Sequence, residues 1–538
     1  MLLTNTKTTE DLTLGEPGEP AKSPAAGTVL SLLSSKQAGL SAGPTAASPV
    51  PVSVGERKLE ARIMPNTKTV VTLGPASDSP ETVRNLLRVG VDVFRMNMSH
   101  GTQEDHARRI RTVRAVAAEM GIDAGILLDL QGPKIRLGTF EGGRVELETG
   151  QRFTLTTETR IGNKEGASTS YADFAKDVNE GDRVLLNDGA VEMRVLSTDG
   201  IAAECEVIAG GPAGDRKGIN LPGVQVSTPS LTKKDMADLQ FGIDIGIDFV
   251  ALSFVRMPND VVRLRHFLEE REASPLVISK IEKPEAFENL DAILAESDGV
   301  MVARGDLGVE TALEKVPYIQ KSIIERARRQ GKFVITATQM LESMIENAVP
   351  TRAEVSDVAN AIYDGTDAIM LSAETSTGRY PVEAARMMSR IAVQAEESLR
   401  EQGFKELSDG HAFTVPEIIA DSAYHAARKI GAAAIVVFTA GGTSARMVAK
   451  YRPPVPIYVF TPSEKVARQL SVVYGVTAIV AEMVASTDKM LALMERMLEE
   501  KGYAKRRDHI VFISGQPIGR PGSTNMLRMH RIGDLTQA

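Results

Sequence analysis

Polar and charged side chains follow six of eight short apolar segments in the first 400 residues of this chain. Apolar segments of this kind form buried strands, so the side chains would lie where the strands end. The side chains are Arg95, Asn97, Ser99 and His100; Asp129 and Gln131; Lys280 and Glu282; Arg304 and Asp306; Thr336, Thr338 and Gln339; and Ser372 and Glu374. Because carboxyl ends of parallel strands meet on one face of a barrel, the pattern predicts one shared pocket.

Glu282 and Asp306 are the candidate metal ligands. They would lie on neighbouring strands, and two carboxylates suit a hard cation such as Mg2+, with Mn2+ as the alternative. A structural pair of salt bridges, to Lys280 and Arg304, is the other interpretation. The seven His residues lack the spacing of zinc ligands, and the single Cys205 excludes a thiolate cluster.

Lys280 lies two residues before Glu282, so both side chains would point to the same side of one strand. Its amine could form a Schiff base or neutralise an anion as a point charge. Arg95 and Arg304 would add positive charge. A divalent cation, a lysine and arginines together stabilise phosphoryl groups and enolates. The residues therefore predict a magnesium-dependent enzyme that acts on a phosphorylated or carboxylated small anion.

The elements that must position these residues alternate regularly. From Thr67 to about Arg400, eight predicted strands alternate with helices, which is the pattern of a (β/α)8 TIM barrel. Short alternating segments with Gly turns interrupt it after the third strand and predict an inserted small β-barrel lid domain. A second α/β region follows. The predicted domains are the barrel at 63–133 and 231–400, the lid at 134–230 and a C-terminal α/β domain at 401–538.

Residues 1–62 are rich in Ala, Ser, Thr, Gly and Pro and contain no aromatic residue. Such a composition predicts a disordered N-terminal extension, because it cannot bury enough apolar surface to offset ordering entropy. A plastid transit peptide is one alternative, although four acidic residues argue against it. A translation start at Met64 is another.

Charge and hydropathy exclude several classes of protein. The chain has 62 basic and 70 acidic residues and a net charge of -8, so it lacks the basic field of a general nucleic-acid-binding protein. No apolar run approaches the length of a transmembrane helix, and a secretory signal is absent. One cysteine suits a reducing compartment. We expect a cytoplasmic protein, with the plastid as alternative, and no nucleic-acid or membrane partner.

Eight segments of the chain, in order, resemble the pyruvate kinase family. They are residues 72–77, 94–101, 278–282, 298–310, 337–344, 350–360, 524–525 and 530–533, within a resemblance that spans about 66–534. The resemblance implies the barrel, the lid and a C-terminal regulatory domain, assembled as a homotetramer. It also implies transfer of the phosphoryl group of phosphoenolpyruvate to ADP, which gives pyruvate and ATP in glycolysis.

The resemblance implies a role for each catalytic residue. Glu282 and Asp306 would hold Mg2+, and a second Mg2+ would arrive with the nucleotide. Lys280 would neutralise charge on the transferred phosphoryl group and the enolate oxygen, and Arg95 would grip the phosphate.

The remaining substrate contacts are implied in the same way. The substrate carboxylate would lie against Gly305, Asp306 and Thr338, and Thr338 would lie near the water-mediated route that protonates the enolate. The implied nucleotide-binding residues are Asn97, His100, Arg136 and Lys217.

Lys134 marks a departure from many family members. Their monovalent-cation site corresponds here to Asn97, Ser99, Asp129 and the carbonyl of Leu130, and members that need K+ have Glu at the position of Lys134. This chain resembles the K+-independent subgroup, in which the lysine ammonium could take the role of the cation. A surface lysine at the hinge is the alternative. We expect activity without K+.

The C-terminal region contains a strand, a Gly-rich loop and the start of a helix at residues 439–444. Backbone N–H groups at a helix N-terminus bind phosphate, although a plain β–α turn has the same pattern. By resemblance, this loop is the phosphate-binding part of a site for a phosphorylated effector, whose identity stays open. The loop residues concerned are Thr439, Gly441, Gly442, Thr443 and Ser444.

Two other functions are alternatives to phosphoryl transfer. A barrel lyase that stabilises an enolate has no need of a lid, Arg136 or Lys217. A catalytically silent, effector-binding paralogue would be expected to lose Lys280, Glu282 or Asp306, and all three are present.

Overall fold

The computed structural model describes residues 65–534, apart from 403, 405, 406, 408–413, 485 and 519–521. The predicted disordered extension at 1–62 therefore lies outside the described residues. The described chain begins with three strands and two helices that alternate. They are β1 (Lys68–Thr72), α1 (Pro80–Arg88), β2 (Val93–Asn97), α2 (Gln103–Met120) and β3 (Gly125–Asp129).

The segment after β3 is all-β apart from one short helix. Its elements are β4 (Arg144–Leu147), β5 (Arg152–Thr156), β6 (Gly166–Ser168), α3 (Phe174–Asp177), β7 (Arg183–Leu186), β8 (Val191–Thr198), β9 (Ala202–Ala209), β10 (Gly211–Gly214) and β11 (Ile219–Asn220). Six strands form a mixed sheet in the order β11-β7-β8-β9-β5-β6, and β10 pairs with β4. Alternate residues such as Phe153, Val184 and Cys205 are wholly buried and form a separate core.

The alternation of helices and strands then resumes. The helices are α4 (Lys233–Ile245), α5 (Pro258–Glu269), α6 (Pro284–Glu288), α7 (Leu290–Glu296), α8 (Arg304–Glu310), α9 (Val316–Arg329), α10 (Arg352–Tyr363), α11 (Ala373–Ser376) and α12 (Pro381–Gln402). The strands are β12 (Phe249–Leu252), β13 (Leu276–Ile281), β14 (Gly299–Ala303), β15 (Phe333–Ala337) and β16 (Ala368–Leu371). Short 3-10 turns occur at Leu313–Lys315 and Glu342–Ile345.

Eight parallel strands close into a barrel in the order β1-β16-β15-β14-β13-β12-β3-β2. This confirms the predicted (β/α)8 fold and the insertion after its third strand. The strands are rich in Val, Ile, Leu, Met and Ala because both of their faces are buried. Four of the helices begin with a Thr whose backbone N–H is bonded by an acidic side chain three residues later, as in a capping box. The pairs are Thr102 with Asp105, Thr232 with Asp235, Thr351 with Glu354 and Thr414 with Glu417.

The polar residues after the sixth and eighth barrel strands lie in short helices. β14 ends at Ala303, and α8 begins at Arg304. β16 ends at Leu371, and Glu374 lies in α11. In both cases the buried apolar run ends where the chain leaves the barrel wall, and the polar residues that follow form the first turn of a helix.

The C-terminal region forms a second sheet. Its elements are α13 (Val415–Ile430), β17 (Ala434–Phe438), α14 (Thr443–Ala449), β18 (Ile457–Thr461), α15 (Glu464–Gln469), a 3-10 turn (Leu470–Val472), β19 (Val476–Val480), α16 (Thr487–Glu500), β20 (His509–Gly515) and β21 (Thr524–Arg531). The strand order is β19-β18-β17-β20-β21. Only the pairing of β20 with β21 is antiparallel among these described strands. None of the helices in the described ranges is both long and apolar enough to cross a membrane.

Candidate active site

Lys280 lies at the centre of a buried polar cluster at the carboxyl ends of the barrel strands. Its Nζ lies 2.8 Å from Glu282 Oε1 and 3.3 Å from Asp129 Oδ1, and both carboxylates are 1% exposed. It also donates a hydrogen bond of 2.8 Å to Ser253 Oγ. Three oxygens from three different strand ends or loops therefore hold one ammonium group.

The Lys280 ammonium is strongly stabilised. Burial acts to lower the pKa of Lys280, but the charges of Asp129, Glu282 and Asp306 outweigh burial and raise that pKa. A Schiff base needs a neutral amine, so the raised pKa favours Lys280 as a fixed positive charge over Lys280 as a nucleophile.

Asp129 joins Lys280 to Arg95. Arg95 Nε donates to Asp129 Oδ2 at 2.7 Å, and Arg95 Nη1 donates to Thr72 Oγ1 at 2.9 Å. Burial acts to raise the pKa of Asp129, but Lys280 and Arg95 outweigh it and hold that pKa below its usual value. The buried Asp129 carboxylate is therefore ionised and orients both cations.

Glu282 and Asp306 fit a divalent cation. Glu282 Oε2 accepts a hydrogen bond of 2.7 Å from Phe254 N. Burial raises the pKa of Glu282, Lys280 opposes this, and the neighbouring Asp306 carboxylate raises it further. Two carboxylates that repel each other beside a single ammonium favour another cation with oxygen ligands. Among the described residues no group of three or more His, Cys, Asp or Glu could hold a metal, so these two would need ligand oxygens from a substrate.

Arg304 turns away from the metal candidates. Its Nη1 contacts both oxygens of Asp357, at 2.8 and 2.6 Å, and its Nη2 donates to the carbonyl of Thr338 at 2.7 Å. The sequence allowed an ion pair from Arg304 to the site carboxylates. The structure instead uses Arg304 to hold the backbone after β15.

That backbone is strained where it meets α8. Thr338 has φ 69° and Gln339 has φ 54°, which L residues adopt at a cost. Thr338 Oγ1 accepts a hydrogen bond of 2.8 Å from Gly305 N, the first turn of α8. The structure therefore brings Gly305, Asp306 and Thr338 together, which are the residues that the family resemblance assigns to a substrate carboxylate.

The end of β2 and the loop that follows it carry the candidate nucleotide residues of the barrel. Asn97 Oδ1 accepts a hydrogen bond of 3.1 Å from Ser99 N. Partial burial lowers the pKa of His100, and the charges of Arg136, Lys134 and Arg95 lower it further. His100 is therefore neutral near pH 7 and lies within the field of three cations, which is a suitable place for phosphate groups.

The lid contributes the other candidates. Arg136 pairs with Gly218 as an isolated antiparallel bridge, and Arg136 Nη1 donates to the carbonyl of Arg216 at 3.2 Å. Lys217 is exposed between these residues. The segment that enters the lid and the segment that leaves it therefore lie side by side. This arrangement places Arg136 and Lys217 on the same edge of the lid.

Two protein-family models, both for domains of pyruvate kinase, match the chain. The barrel domain matches residues 64–385, and the alpha/beta domain matches residues 417–530. The pyruvate kinase of Geobacillus stearothermophilus is 44% identical over 473 residues, which cover 87% of this chain and 81% of that protein. The chain belongs to the pyruvate kinase family. The pyruvate kinase of Bacillus licheniformis is also 44% identical, over 476 residues that cover 88% of this chain and 81% of that protein.

A solved pyruvate kinase structure shows the same arrangement. A crystal structure from Cryptosporidium parvum is similar with a TM-score of 0.80 and 36% sequence identity. The similarity covers 87% of this chain and 96% of that one.

Ser253 is a site residue of this pyruvate kinase family member that the sequence analysis missed. It is 1% exposed, accepts from Lys280 and donates a hydrogen bond of 2.7 Å to the Leu130 carbonyl. Leu130 supplies the carbonyl that the family resemblance assigns to a monovalent-cation site. Ser253 follows β12, the fourth barrel strand, so its position at a strand end was the available signal.

The predicted effector loop belongs to a different sheet. Residues 439–444 join β17 to α14, where Gly442 has φ 81° and its N donates to Thr439 Oγ1 at 3.0 Å. Ser444 Oγ lies 2.5 Å from Thr524 Oγ1, so the loop contacts the edge strand β21. Four of the five predicted residues line a cavity of about 40 Å3, namely Thr439, Gly441, Thr443 and Ser444.

Proposed function

We propose that this pyruvate kinase family member transfers the phosphoryl group of phosphoenolpyruvate to ADP, as a cytoplasmic step of glycolysis. The observation that carries the proposal is the buried Lys280 ammonium, held by Asp129, Glu282 and Ser253 beside Asp306. A fixed positive charge at this place stabilises negative charge that grows on a phosphoryl group and on an enolate oxygen.

Each part of the site would have one task. Arg95, oriented by Asp129, would grip the phosphoryl group, and Gly305 with Thr338 would bind the carboxylate. Phosphoryl transfer has a loose transition state, so alignment and charge stabilisation supply most of the rate. The lid would bring Arg136 and Lys217 against the nucleotide phosphates, together with Asn97 and His100, and would exclude water that hydrolyses the substrate.

The donor set fits Mg2+, or Mn2+, held by Glu282 and Asp306. When bound, such an ion supplies positive charge that neutralises the carboxylate and phosphoryl oxygens of the substrate. The protein residues would fix its position and leave the remaining coordination to the substrate and water.

A coupled assay tests the proposed reaction. Pyruvate should form from phosphoenolpyruvate and ADP in the presence of Mg2+ or Mn2+. The absence of turnover, with either metal and with or without K+, would show that this chain does not catalyse the reaction.

We also infer that activity is independent of K+. Lys134 lies beside Gly218 at the lid crossing, and its charge reaches His100. Asp129 already pairs with two internal cations, and the Leu130 carbonyl accepts from Ser253. These oxygens are therefore satisfied by the protein itself. In buffer free of Na+ and K+ we expect full activity, and strong activation by added K+ would contradict the inference.

The quaternary structure and the effector belong to the same proposal. We expect a homotetramer, which native mass spectrometry can test.

A phosphorylated effector would bind at the 439–444 loop, where the backbone N–H groups at the start of α14 are located. Activation curves with and without phosphorylated sugars and nucleotides, compared in the Ser444→Ala variant, would identify it.

A further inference from the structure

Asn220 connects the lid to the barrel, and it lies outside the predicted site. It ends the short lid strand β11, which pairs with β7. Its Nδ2 donates a hydrogen bond of 2.9 Å to Glu310 Oε1 on the barrel. Glu310 is 5% exposed, so water competes little for this bond.

Glu310 ties together the two segments that carry the candidate metal ligands. Its Oε2 lies 3.1 Å from Lys283 Nζ, and the two side chains are 2% and 8% exposed. Lys283 directly follows Glu282, and Glu310 ends α8, whose first turn contains Asp306. The amide of Asn220 therefore bonds to an ion pair built between both halves of the proposed metal site.

On the lid side, Asn220 continues the segment that carries Lys217. Gly218 bridges to Arg136, and Ile219 N donates to the Ile135 carbonyl at 2.9 Å. The backbone of residues 217–219 is thus hydrogen-bonded to residues 135–137. Because only two residues separate Lys217 from Asn220, the contact to Glu310 constrains where Lys217 lies.

We propose that Asn220 is a positioning residue for nucleotide binding. Its bond to Glu310 sets the distance between the lid edge that carries Lys217 and the barrel rim that carries Asp306. The inference rests on the proposed role of Lys217 at the phosphates of a nucleoside diphosphate. In the proposed site phosphoenolpyruvate contacts barrel residues, whereas the nucleotide also contacts the lid, so the contact would act mainly on the second substrate.

The Asn220→Asp variant tests this contact. A carboxylate at position 220 cannot donate to Glu310 and repels it. We expect the KM for ADP to rise about tenfold, the size of one lost hydrogen bond to a charged group. The KM for phosphoenolpyruvate should change less, because the ion pair of Glu310 with Lys283 on the barrel is retained. Thermal melting shows whether the variant folds, and Asn220→Ser, which removes the amide without adding charge, is the second variant.

A double variant distinguishes positioning from general damage. In Asn220→Asp combined with Glu310→Gln, the new amide donates to the new carboxylate, and the net charge of residues 220, 283 and 310 stays as in the wild type. The KM for ADP should return towards the wild-type value. Asn179→Asp is the matched control, because it adds the same charge at an exposed lid position. We expect no change in either KM for that variant.

The outcomes separate this inference from the proposed function. Equal shifts of both KM values, or no recovery in the double variant, would overturn the role of Asn220. If Lys217→Ala raises the KM for ADP while Asn220→Asp and Asn220→Ser do not, only the inference about Asn220 is wrong. If Lys217→Ala leaves the KM for ADP unchanged, the role proposed for Lys217 is wrong, and the inference is overturned with it.

Discussion

At the scale of single residues, the site depends on one ammonium group that two buried carboxylates hold in place. Lys280 lies 2.8 Å from Glu282 and 3.3 Å from Asp129. Each carboxylate would be costly to bury alone, and Lys280 offsets that cost for both. The same charge faces the position where negative charge would develop during phosphoryl transfer. The Lys280 charge therefore has two competing roles. It stabilises the buried carboxylates, and the more completely Glu282 neutralises it, the less positive charge is left to act on the substrate.

Replacement of Lys280 by an uncharged residue should strongly reduce catalysis. In Lys280→Met we expect kcat to fall by about 100- to 1000-fold or more, as for removal of a fixed charge stabiliser. A coupled pyruvate assay measures the loss, and circular dichroism confirms that the variant is folded. Lys489→Met, at an exposed position of α16, is the matched control and should retain activity. Full activity of Lys280→Met would remove Lys280 from the mechanism.

At the scale of elements, the start of α13 links a helix cap to a distant helix end. Glu417 Oε2 accepts from Thr414 N at 3.0 Å and from Thr414 Oγ1 at 2.9 Å, which forms the capping box. Glu417 Oε1 accepts from Lys450 Nζ at 3.0 Å, just after α14. Burial acts to raise the pKa of Glu417, but the bonds from Thr414 and Lys450 outweigh it and lower that pKa to about 2.

This lowered pKa predicts how stability changes with pH. A carboxylate with a depressed pKa stabilises the fold above its unfolded pKa, and the contribution disappears as pH falls towards the folded pKa. Glu417→Gln should lower the free energy of unfolding by about 3 kcal/mol at pH 7, because Lys450 is left buried without its anion. The difference from wild type should shrink between pH 4.5 and about 2.

Urea unfolding at pH 7 and at acidic pH measures both quantities. Glu500→Gln is the control, because Glu500 is 66% exposed and its ion pair should contribute little. A difference between wild type and Glu417→Gln that stays constant over this pH range would show that the carboxylate is not specially stabilised.

At the scale of the whole molecule, the amino end of the barrel is attached to the C-terminal sheet by two buried acids. Asp248 Oδ1 accepts from Arg468 Nε at 2.9 Å, and its Oδ2 accepts from Arg114 Nη2 at 2.6 Å. Asp367 accepts from Tyr474 N at 3.2 Å and pairs with Arg452 Nη2 at 2.9 Å. Apolar residues inside the barrel belong to one cluster with those of β17 and β18. The two sheets therefore share an apolar core and a set of buried ion pairs centred on Asp248 and Asp367.

Disruption of these ion pairs should destabilise the protein without affecting catalysis. Asp248→Asn leaves two arginines without their counter-charge, so we expect a loss of about 3–5 kcal/mol. Calorimetry should show a lower Tm, while kcat at moderate temperature stays near that of wild type because the active site lies at the opposite end of the barrel. Asp244→Asn, exposed at the end of α4, is the control. Equal Tm values for the two variants would contradict the structural role of Asp248.

The sequence by itself determined the barrel, the insertion and the second α/β region, because strand and helix periodicities are local properties of the chain. It also placed Lys280, Glu282, Asp306 and Thr338 at strand ends, which parallel strands bring to one face. Only the tertiary structure decided that Arg304 binds Asp357, that Ser253 accepts a hydrogen bond from Lys280, and that Asn220 donates one to Glu310. Those contacts join residues far apart in sequence, and their existence depends on where the chain turns at the ends of strands. Local sequence patterns do not encode the direction in which a long side chain such as Arg304 extends. That direction depends on the charged and polar groups that lie around the side chain in the folded protein.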